Sequence, residues 1–503
     1  MYNVIYSDIP DLDIIRVNDV YYMTSTTMHM NPGVPIMKSK DLIKWDIINY
    51  VYDILERDDK QELRNGKYEY GKGSWASSIK FDGEYFYVEF SSHSAGESGK
   101  TYIYQTQDIE NGPWVRSEFD GVYRDAAFFI DDDEKIYLVY GGGDIYITEI
   151  EHITSDKNSG FRIKENGINK KIIDNANSAD KEWKGEGLVA EGTHIQKIND
   201  KYYIFNIMWP KDSVRSQIVH RADKIDGEYE SRVLLKESTT DGIAQGGLID
   251  SKDGKWYAFL FEDYGAVGRI PFIIPVKWED GWPVIEDDSK DINFVSSDFY
   301  HGFIRSDNFD EDELNKVWQW NHNPDNSSWS LKDRKGFLRL KNSKISKSIH
   351  DAKNTLTQRT YGPQCSGSIA IDIKNMKDGD YAGISAFQNH YGFVGVNISN
   401  NKKYVVMEKG INGSTEEISR VNIQTNTVYL RVDFNFKNQI DEAYFYYSID
   451  GLVWNRIGET IELKYDLSHF MGYRFALFNY ATKYKGGYAD FDHFAVSDEI
   501  LNL

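Results

Sequence analysis

Short apolar runs, polar turns and paired aromatics follow one another along the first 290 residues, and the same order recurs five times. Ile14-Ile15 lead through Asn18-Asp19 to Tyr21-Tyr22, and Ile79 leads through Asp82-Gly83 to Tyr85-Phe86-Tyr87. Phe128-Phe129 lead through Asp131-Asp132-Asp133 to Ile136-Tyr137. Ile195 leads through Asn199-Asp200 to Tyr202-Tyr203, and Leu248-Ile249 lead through Asp253-Gly254 to Trp256-Tyr257. Each unit reads as strand, tight turn, strand, the signature of a β-hairpin. A second pattern recurs behind several of them: an apolar strand, a polar pair with Asp, then an aromatic. Examples run from Ser39-Lys40-Asp41-Leu42 to Trp45, from Thr106-Gln107-Asp108-Ile109 to Trp114 and from Ala222-Asp223-Lys224-Ile225 to Tyr229. Two hairpins per repeat make a four-stranded unit. Sheets of that kind repeated radially are propeller blades, so five repeats predict a five-bladed β-propeller.

Beyond a charged stretch, Glu286-Asp287-Asp288-Ser289-Lys290-Asp291, the pattern changes. Alternating strands are read at 337–340, 368–373, 428–434 and 443–451, and they predict a β-sandwich. The fold class is therefore all-β. The expected units are a propeller over 1–295 and a sandwich over 300–503, joined by a charged linker. The 503 residues would suit about three average domains, but propellers put far more chain into one unit, so two suffice.

Composition narrows the partners. The net charge of −21 argues against nucleic acid and anionic membranes, both of which require a basic footprint. No apolar run is long enough to span a bilayer. The single cysteine, Cys365, excludes an intrachain disulfide and suits a reducing compartment. Met1 to Ile5 show neither a basic nor an apolar leader, so a cytoplasmic location is expected. Aromatics reach 15%, which suits pleated strands and equally supplies platforms for sugar rings.

Ten or eleven residues ahead of the aromatics stand Asp11, Trp75, Asp125, Glu191 and Gln245, each about one blade's length from the last. The first strand of every blade lines the propeller axis, so these five residues are expected to converge on one mouth of the channel. Three acids crowded there oppose each other's ionisation. Read blandly, they are turn residues or ligands of a cation; read chemically, they are a reaction centre. Paired carboxylates hydrolyse glycosidic bonds: one donates a proton to the leaving oxygen, and the other activates water or attacks directly. A third acid held ionised nearby raises the pKa of the proton donor.

Asp11 lies in Ile9-Pro10-Asp11-Leu12-Asp13-Ile14-Ile15-Arg16-Val17, and Glu191 in Ala190-Glu191-Gly192-Thr193-His194; Asp125 precedes Phe128-Phe129 and three aspartates. With Gly268-Arg269 and the stretch 272–282, this order resembles glycoside hydrolase family 43. The resemblance implies a five-bladed propeller and an inverting mechanism. It places the general base on Asp11, the pKa modulator on Asp125, the general acid on Glu191 and a sugar-contacting arginine on Arg269. The segment Trp318-Gln319-Trp320-Asn321-His322-Asn323-Pro324 is similar to the concanavalin-like module often fused to such propellers, which in some relatives lends a loop to the active-site rim. The chain departs from the family pattern at Leu12 and Ala126, where proline is more usual, and at Gln245, where many members keep a histidine beside calcium or water. No cofactor is expected to be required, and a structural calcium is left open.

Around this centre, Trp75, Gln245 and His29 are expected to contact substrate together with Arg269. Arg269 could instead pair with Glu262 or Asp263. Asp13 shares a strand face with Asp11, but Asp11 has the spacing of the other blades. Asp131, Asp132 and Asp133 read as a solvated turn, His194 as a hydrogen-bonded strand residue, and Asp490 and Asp492 as an end strand rather than a calcium site. The functions considered are release of α-L-arabinofuranose or β-D-xylose from arabinoxylan or xylo-oligosaccharides, an arabinan-directed hydrolase of the same family, and a non-catalytic carbohydrate-binding propeller. The retaining fructan and sucrose hydrolases share the propeller, but this chain lacks their Trp-Met-Asn-Asp-Pro type of motif. A homo-oligomer is left open.

Overall fold

Two-residue turns set the first hairpins. Asn199 and Asp200 both take left-handed backbone, φ 50° and 60°, the geometry that joins twisted antiparallel strands most directly. The computed structural model describes residues 2–236, 241–286, 293–294 and 302–501. Five sheets make up the propeller, antiparallel except where the N-terminal Tyr2–Asn3 pairs in parallel with Asn293–Phe294. Their first strands are Asp13–Val17, Ser77–Phe81, Ala127–Ile130, Gly187–Ile198 and Ala244–Asp250. Each first strand touches those of the two neighbouring blades, and the fifth touches the first, so they close a ring around one axis.

A ring of blades has to be joined end to start. The fifth sheet runs from Ala244–Asp250 through Trp256–Asp263 to Arg269–Glu279, which pairs with the N-terminal Tyr2–Asn3 and also with Trp282–Ile285. Tyr2 lies opposite Ile273 and Asn3 opposite Phe272. Hydrogen bonds from both ends of the segment thus fasten the last blade.

The C-terminal half forms two facing sheets, as the alternating pattern predicts. One contains Asp380–Phe387, His390–Ser399 and Arg474–Ala481; the other contains Gln364–Asp372, Thr427–Asn435 and Tyr488–Ser497. Their inner faces meet at Phe475, whose ring stands edge-on to Phe434 at 5.0 Å and to Phe494 at 5.5 Å. The described residues contain no helix long and apolar enough to cross a membrane.

The seam between the two halves differs from the picture of domains joined only by a linker. Met30–Asn31, a two-residue strand in a first-blade loop, forms the edge of a sandwich sheet, with Asn31 opposite Trp320 and Met30 opposite Asn321. Most of the charged stretch, 287–291, lies outside the described residues. Hydrogen bonds cross the seam from Gly362 N–H to the Tyr6 carbonyl at 2.8 Å and from Tyr473 N–H to the Ala266 carbonyl at 3.0 Å. Gly472 allows this close approach: a Cβ there would sit 2.1 Å from the Val267 carbonyl oxygen. One continuous apolar cluster runs from Ile5 and Phe272 of the propeller to Phe475 and Leu477 of the sandwich. Separate domains melt separately, whereas a shared core couples them. Calorimetry of the whole chain is therefore expected to show one cooperative transition, and two well-resolved endotherms would contradict the shared core.

Candidate active site

The axial residues sit where the blades' regular backbone breaks. Asp11 (φ 49°), Asp125 (φ 45°) and Gln245 (φ 65°) are all left-handed. Aspartate tolerates that region better than most residues, and such strain concentrates at functional positions. Glu191 stands between two register shifts in its strand pairing, and Gln245 lies at another. Bulges of this kind re-aim side chains. Gly192, at φ 63°, completes the turn, because a Cβ there would meet the Gln245 side chain at 2.9 Å.

Asp11 is 6% exposed, and both its oxygens accept from Arg269 Nη1, at 2.8 and 2.9 Å. Burial pushes its carboxyl up to about 6; Arg269 opposes that rise, and the charge on Asp125 adds to it. Glu191 is pushed up to about 7, first by burial and then by Asp125, against the pull of Arg124, whose Nη2 bonds Glu191 Oε2. Asp11 raises Glu191 further. Burial also raises Asp125, while Arg124 and the Gly192 N–H, which donates to its Oδ2 at 3.2 Å, act in the opposite direction. Asp125 raises both Asp11 and Glu191, and Asp11 raises Glu191, so the three carboxyls from blades one, three and four lie within electrostatic reach of one another.

The neighbouring acids are held differently. Asp13 accepts from Ile79 N–H at 2.8 Å and Ser78 Oγ at 3.2 Å, and faces His194 Nδ1 at 3.1 Å and Lys80 Nζ at 3.4 Å. Its pKa falls below the usual carboxylate range: Lys80 and His194, with the hydrogen bonds, overcome the upward push of burial. Asp8 accepts from the backbone N–H of Arg269 at 2.8 Å and of Gly472 at 3.0 Å. Both are structural acids. Asp131 accepts from Tyr202 Oη and Lys197 Nζ at its turn. Asp490 is bound by Arg339 and Arg334. Among the described residues, no group of three or more His, Cys, Asp or Glu is arranged to hold a metal ion.

Arg269 is 3% exposed and pairs with Asp11, not with Glu262 or Asp263; Asp263 is bonded by Arg215. Its Nη2 donates to the Phe470 carbonyl at 3.1 Å, and its guanidinium lies 4.4 Å from the centre of the Phe470 ring. Asp11 and Phe470 thus hold the Arg269 guanidinium in place. Trp75 is half-buried, its ring 4.8 Å from His93 and 5.6 Å from Phe470. Gln245 is 8% exposed, packed on Gly192, and its N–H donates to Gln217 Oε1 at 2.6 Å.

His29, expected to line the pocket, is instead 1% exposed and presents no face to a sugar. Its ring is enclosed by Tyr70 at 4.7 Å, His322 at 4.8 Å and His469 at 5.7 Å. The cause is the strand pairing of Met30–Asn31 with the sandwich, which pulls the loop into the seam.

Three residues escape the sequence reading. Phe470 comes from the sandwich, some 200 residues beyond Arg269. Arg124 adjoins Asp125, but nothing local shows that it reaches Glu191 on the next blade. Glu89 is fully buried in the second blade, where burial first, and then Asp125 and Asp13, raise its pKa well above the usual value. Burial and these two neighbouring acids both favour its protonated form.

Residues 2–283 match glycosyl hydrolases family 43, and residues 306–497 match the beta xylosidase C-terminal concanavalin A-like domain. The chain is 46% identical to a bifunctional GH43-CE protein of Bacteroides eggerthii, whose structure superposes with a TM-score of 0.91 over 99% of this chain. This chain spans only 63% of that protein's length. It is 27% identical to a beta-xylosidase of Formosa agariphila, covering 98% of this chain and 89% of that one. It is 26% identical to a non-reducing end alpha-L-arabinofuranosidase of Bacteroides ovatus, over 76% of this chain and 73% of the relative. With a propeller matched along its whole length and a concanavalin-like sandwich behind it, the chain belongs to glycoside hydrolase family 43.

Proposed function

We propose that this hydrolase is an inverting, exo-acting pentosidase that releases α-L-arabinofuranose, β-D-xylose or both from arabinoxylan or xylo-oligosaccharides. Glu191 is the general acid, Asp11 the general base and Asp125 the modulator that keeps Glu191 protonated. One observation carries the assignment. Burial raises both carboxyls, but both oxygens of Asp11 accept from the Arg269 guanidinium, which favours its ionised form, whereas the charges of Asp125 and Asp11 push Glu191 further toward its protonated form. Environments that differ in this way are what a proton donor and a proton acceptor require.

Each partner has a role. Arg269 holds the Asp11 carboxylate from one side with a single nitrogen, which favours its ionised form and fixes its direction toward the attacking water. The charge on Asp125 raises Glu191, whose proton goes to the departing oxygen as the glycosidic bond breaks. Phe470 stacks on Arg269 and stands beside Trp75, so the sandwich closes one side of the mouth. A mouth closed on one side favours attack at a chain end. The pentose choice is supported by the relatives: one bears the name beta-xylosidase, another non-reducing end alpha-L-arabinofuranosidase. The two sugars present overlapping hydroxyl patterns to one pocket.

The test is a panel of nitrophenyl pentosides and arabinoxylan oligomers. Turnover with a bell-shaped pH profile of kcat/KM is expected, highest between about 6 and 7. Below that window Asp11 takes up a proton and the base is lost; above it Glu191 gives up its proton and the acid is lost. Proton NMR of the first sugar released should show the inverted anomer. Retention would overturn the mechanism, and no turnover on any pentoside would overturn the substrate class.

A further inference from the structure

We propose that the seam between propeller and sandwich carries a second saccharide site, outside the active-site mouth, that binds a xylan chain bearing a carboxylate branch. The choice of xylan rests on the function proposed above; the groove and its charge do not. The groove encloses about 720 Å3, within the range of roughly 300–1,000 Å3 usual for ligand clefts.

One wall is the long excursion between the first two blades, and the other comes from the sandwich. The excursion contains turns instead of strands and is fastened across the seam. Lys344 Nζ donates to the Leu63 carbonyl at 2.8 Å, Lys353 Nζ bonds Glu62 Oε2 at 2.9 Å, and Tyr70 Oη donates to the His350 carbonyl at 2.8 Å. The groove is therefore preformed. Along its base the Tyr70 ring stacks flat on His469, 4.1 Å between centres and 1° between planes. Tyr68 continues the line with its ring 5.7 Å from Tyr70 and its side chain 62% exposed. A tyrosine so open contributes little to holding the fold. It offers an apolar face to the C–H side of a sugar ring, with its hydroxyl still wet. Asn412 adds a side-chain amide to the lining.

The charge selects among saccharides. The protein carries a net −21, yet Arg64, Lys67, Lys344 and Lys347 line this groove against a single acid, Asp351. Lys344 is paired with Asp351, while Arg64 and Lys67 share Asp59. Among the described residues Lys347 has no carboxylate within ion-pair distance, and it is exposed at the rim. Neutral xylose or arabinose has no use for that cation; a uronic-acid branch does.

The groove also adjoins the reaction centre through one loop. Ser468 and His469 line it, and the next residue, Phe470, stacks on Arg269.

The test is affinity electrophoresis of the full chain in gels containing glucuronoxylan, neutral arabinoxylan or polygalacturonate. Glu191→Gln serves as the background, so that the polymer is not consumed. Retardation is expected to be greatest in glucuronoxylan. Tyr68→Ala and Lys347→Ala, each placed in that background, should weaken it roughly tenfold, the scale of a principal contact residue. In the otherwise unaltered chain the same two substitutions should leave turnover of nitrophenyl pentosides at the wild-type level, because neither residue belongs to the mouth. Retardation that ignores both substitutions would overturn the proposal, and so would equal retardation in arabinoxylan, or in polygalacturonate, which supplies charge without a xylan backbone. Failure of the wild type to cleave any pentoside would refute the proposed function but leave the binding result standing.

Discussion

Glu191→Gln is expected to lower kcat/KM on xylo-oligosaccharides by roughly 10²–10⁴-fold, the usual contribution of a general acid, while leaving saccharide binding close to wild type. The amide has the shape of the carboxyl but no proton to give. The loss should depend on the leaving group. A sugar alkoxide cannot depart unprotonated, whereas a nitrophenolate can, so activity on nitrophenyl pentosides should fall far less. A uniform loss on both substrates would place the role of Glu191 elsewhere than in protonating the leaving oxygen. Arg124→Gln acts on the same carboxyl without removing it. Arg124 pulls the Glu191 pKa down from the level set by burial and Asp125. Its removal should shift the basic limb of the pH profile above about 7 and leave the acidic limb in place. The pair is half open to solvent on the arginine side, so little change in stability is expected.

The second large effect is expected at Arg269. Arg269→Gln leaves Asp11 buried without its cation, and a buried charge stripped of its partner costs about 3–5 kcal/mol if it stays ionised. Protonation relieves that cost. The Asp11 pKa, about 6 with Arg269 present, should therefore rise, and the acidic limb of the profile should move upward with it. Each unit of rise removes about tenfold of the ionised base at a pH below it. Stability should follow the same equilibrium. With Asp11 raised above its unfolded value of 3.8, the native state binds the extra proton, so stability falls as pH rises through the interval between the two. The variant should thus lie nearest to wild type at about pH 4 and fall furthest behind once Asp11 is forced to ionise. Asp11→Asn in the same chain removes the charge and should restore the melting temperature without restoring activity. Thermal unfolding across pH, set beside kcat/KM, checks both. An unchanged acidic limb would mean that Arg269 does not govern Asp11.

Much of the architecture was legible because it is written locally. Asn199-Asp200 and Asp82-Gly83 carry their turn geometry in their own residues, and the aromatic pairs that follow repeat at blade length. The same periodicity pointed to Asp11, Asp125 and Glu191, since equivalent positions in a closed ring of blades must face one axis. Asp13 lies two residues from Asp11, yet its distance from the aromatics does not match the other blades, and its hydrogen bonds to Ile79 and Ser78 give it a structural place.

Other features depend on contacts between segments far apart in the chain, for which a sequence holds no local signal. The pairing of Asn31 with Trp320 joins strands almost 290 residues apart; it buries His29 and makes one core of two halves. Phe470 reaches Arg269 only because the sandwich docks beside the fifth blade. The upward shifts of Glu191 and Asp11 come from burial, opposed by the arginine beside each carboxyl, and both are properties of the assembled site. Residue types and their spacing determined the propeller, the sandwich and the three acids. Tertiary packing alone decided the surroundings of each acid, because desolvation and charge at a few ångströms do not exist until the chain has closed.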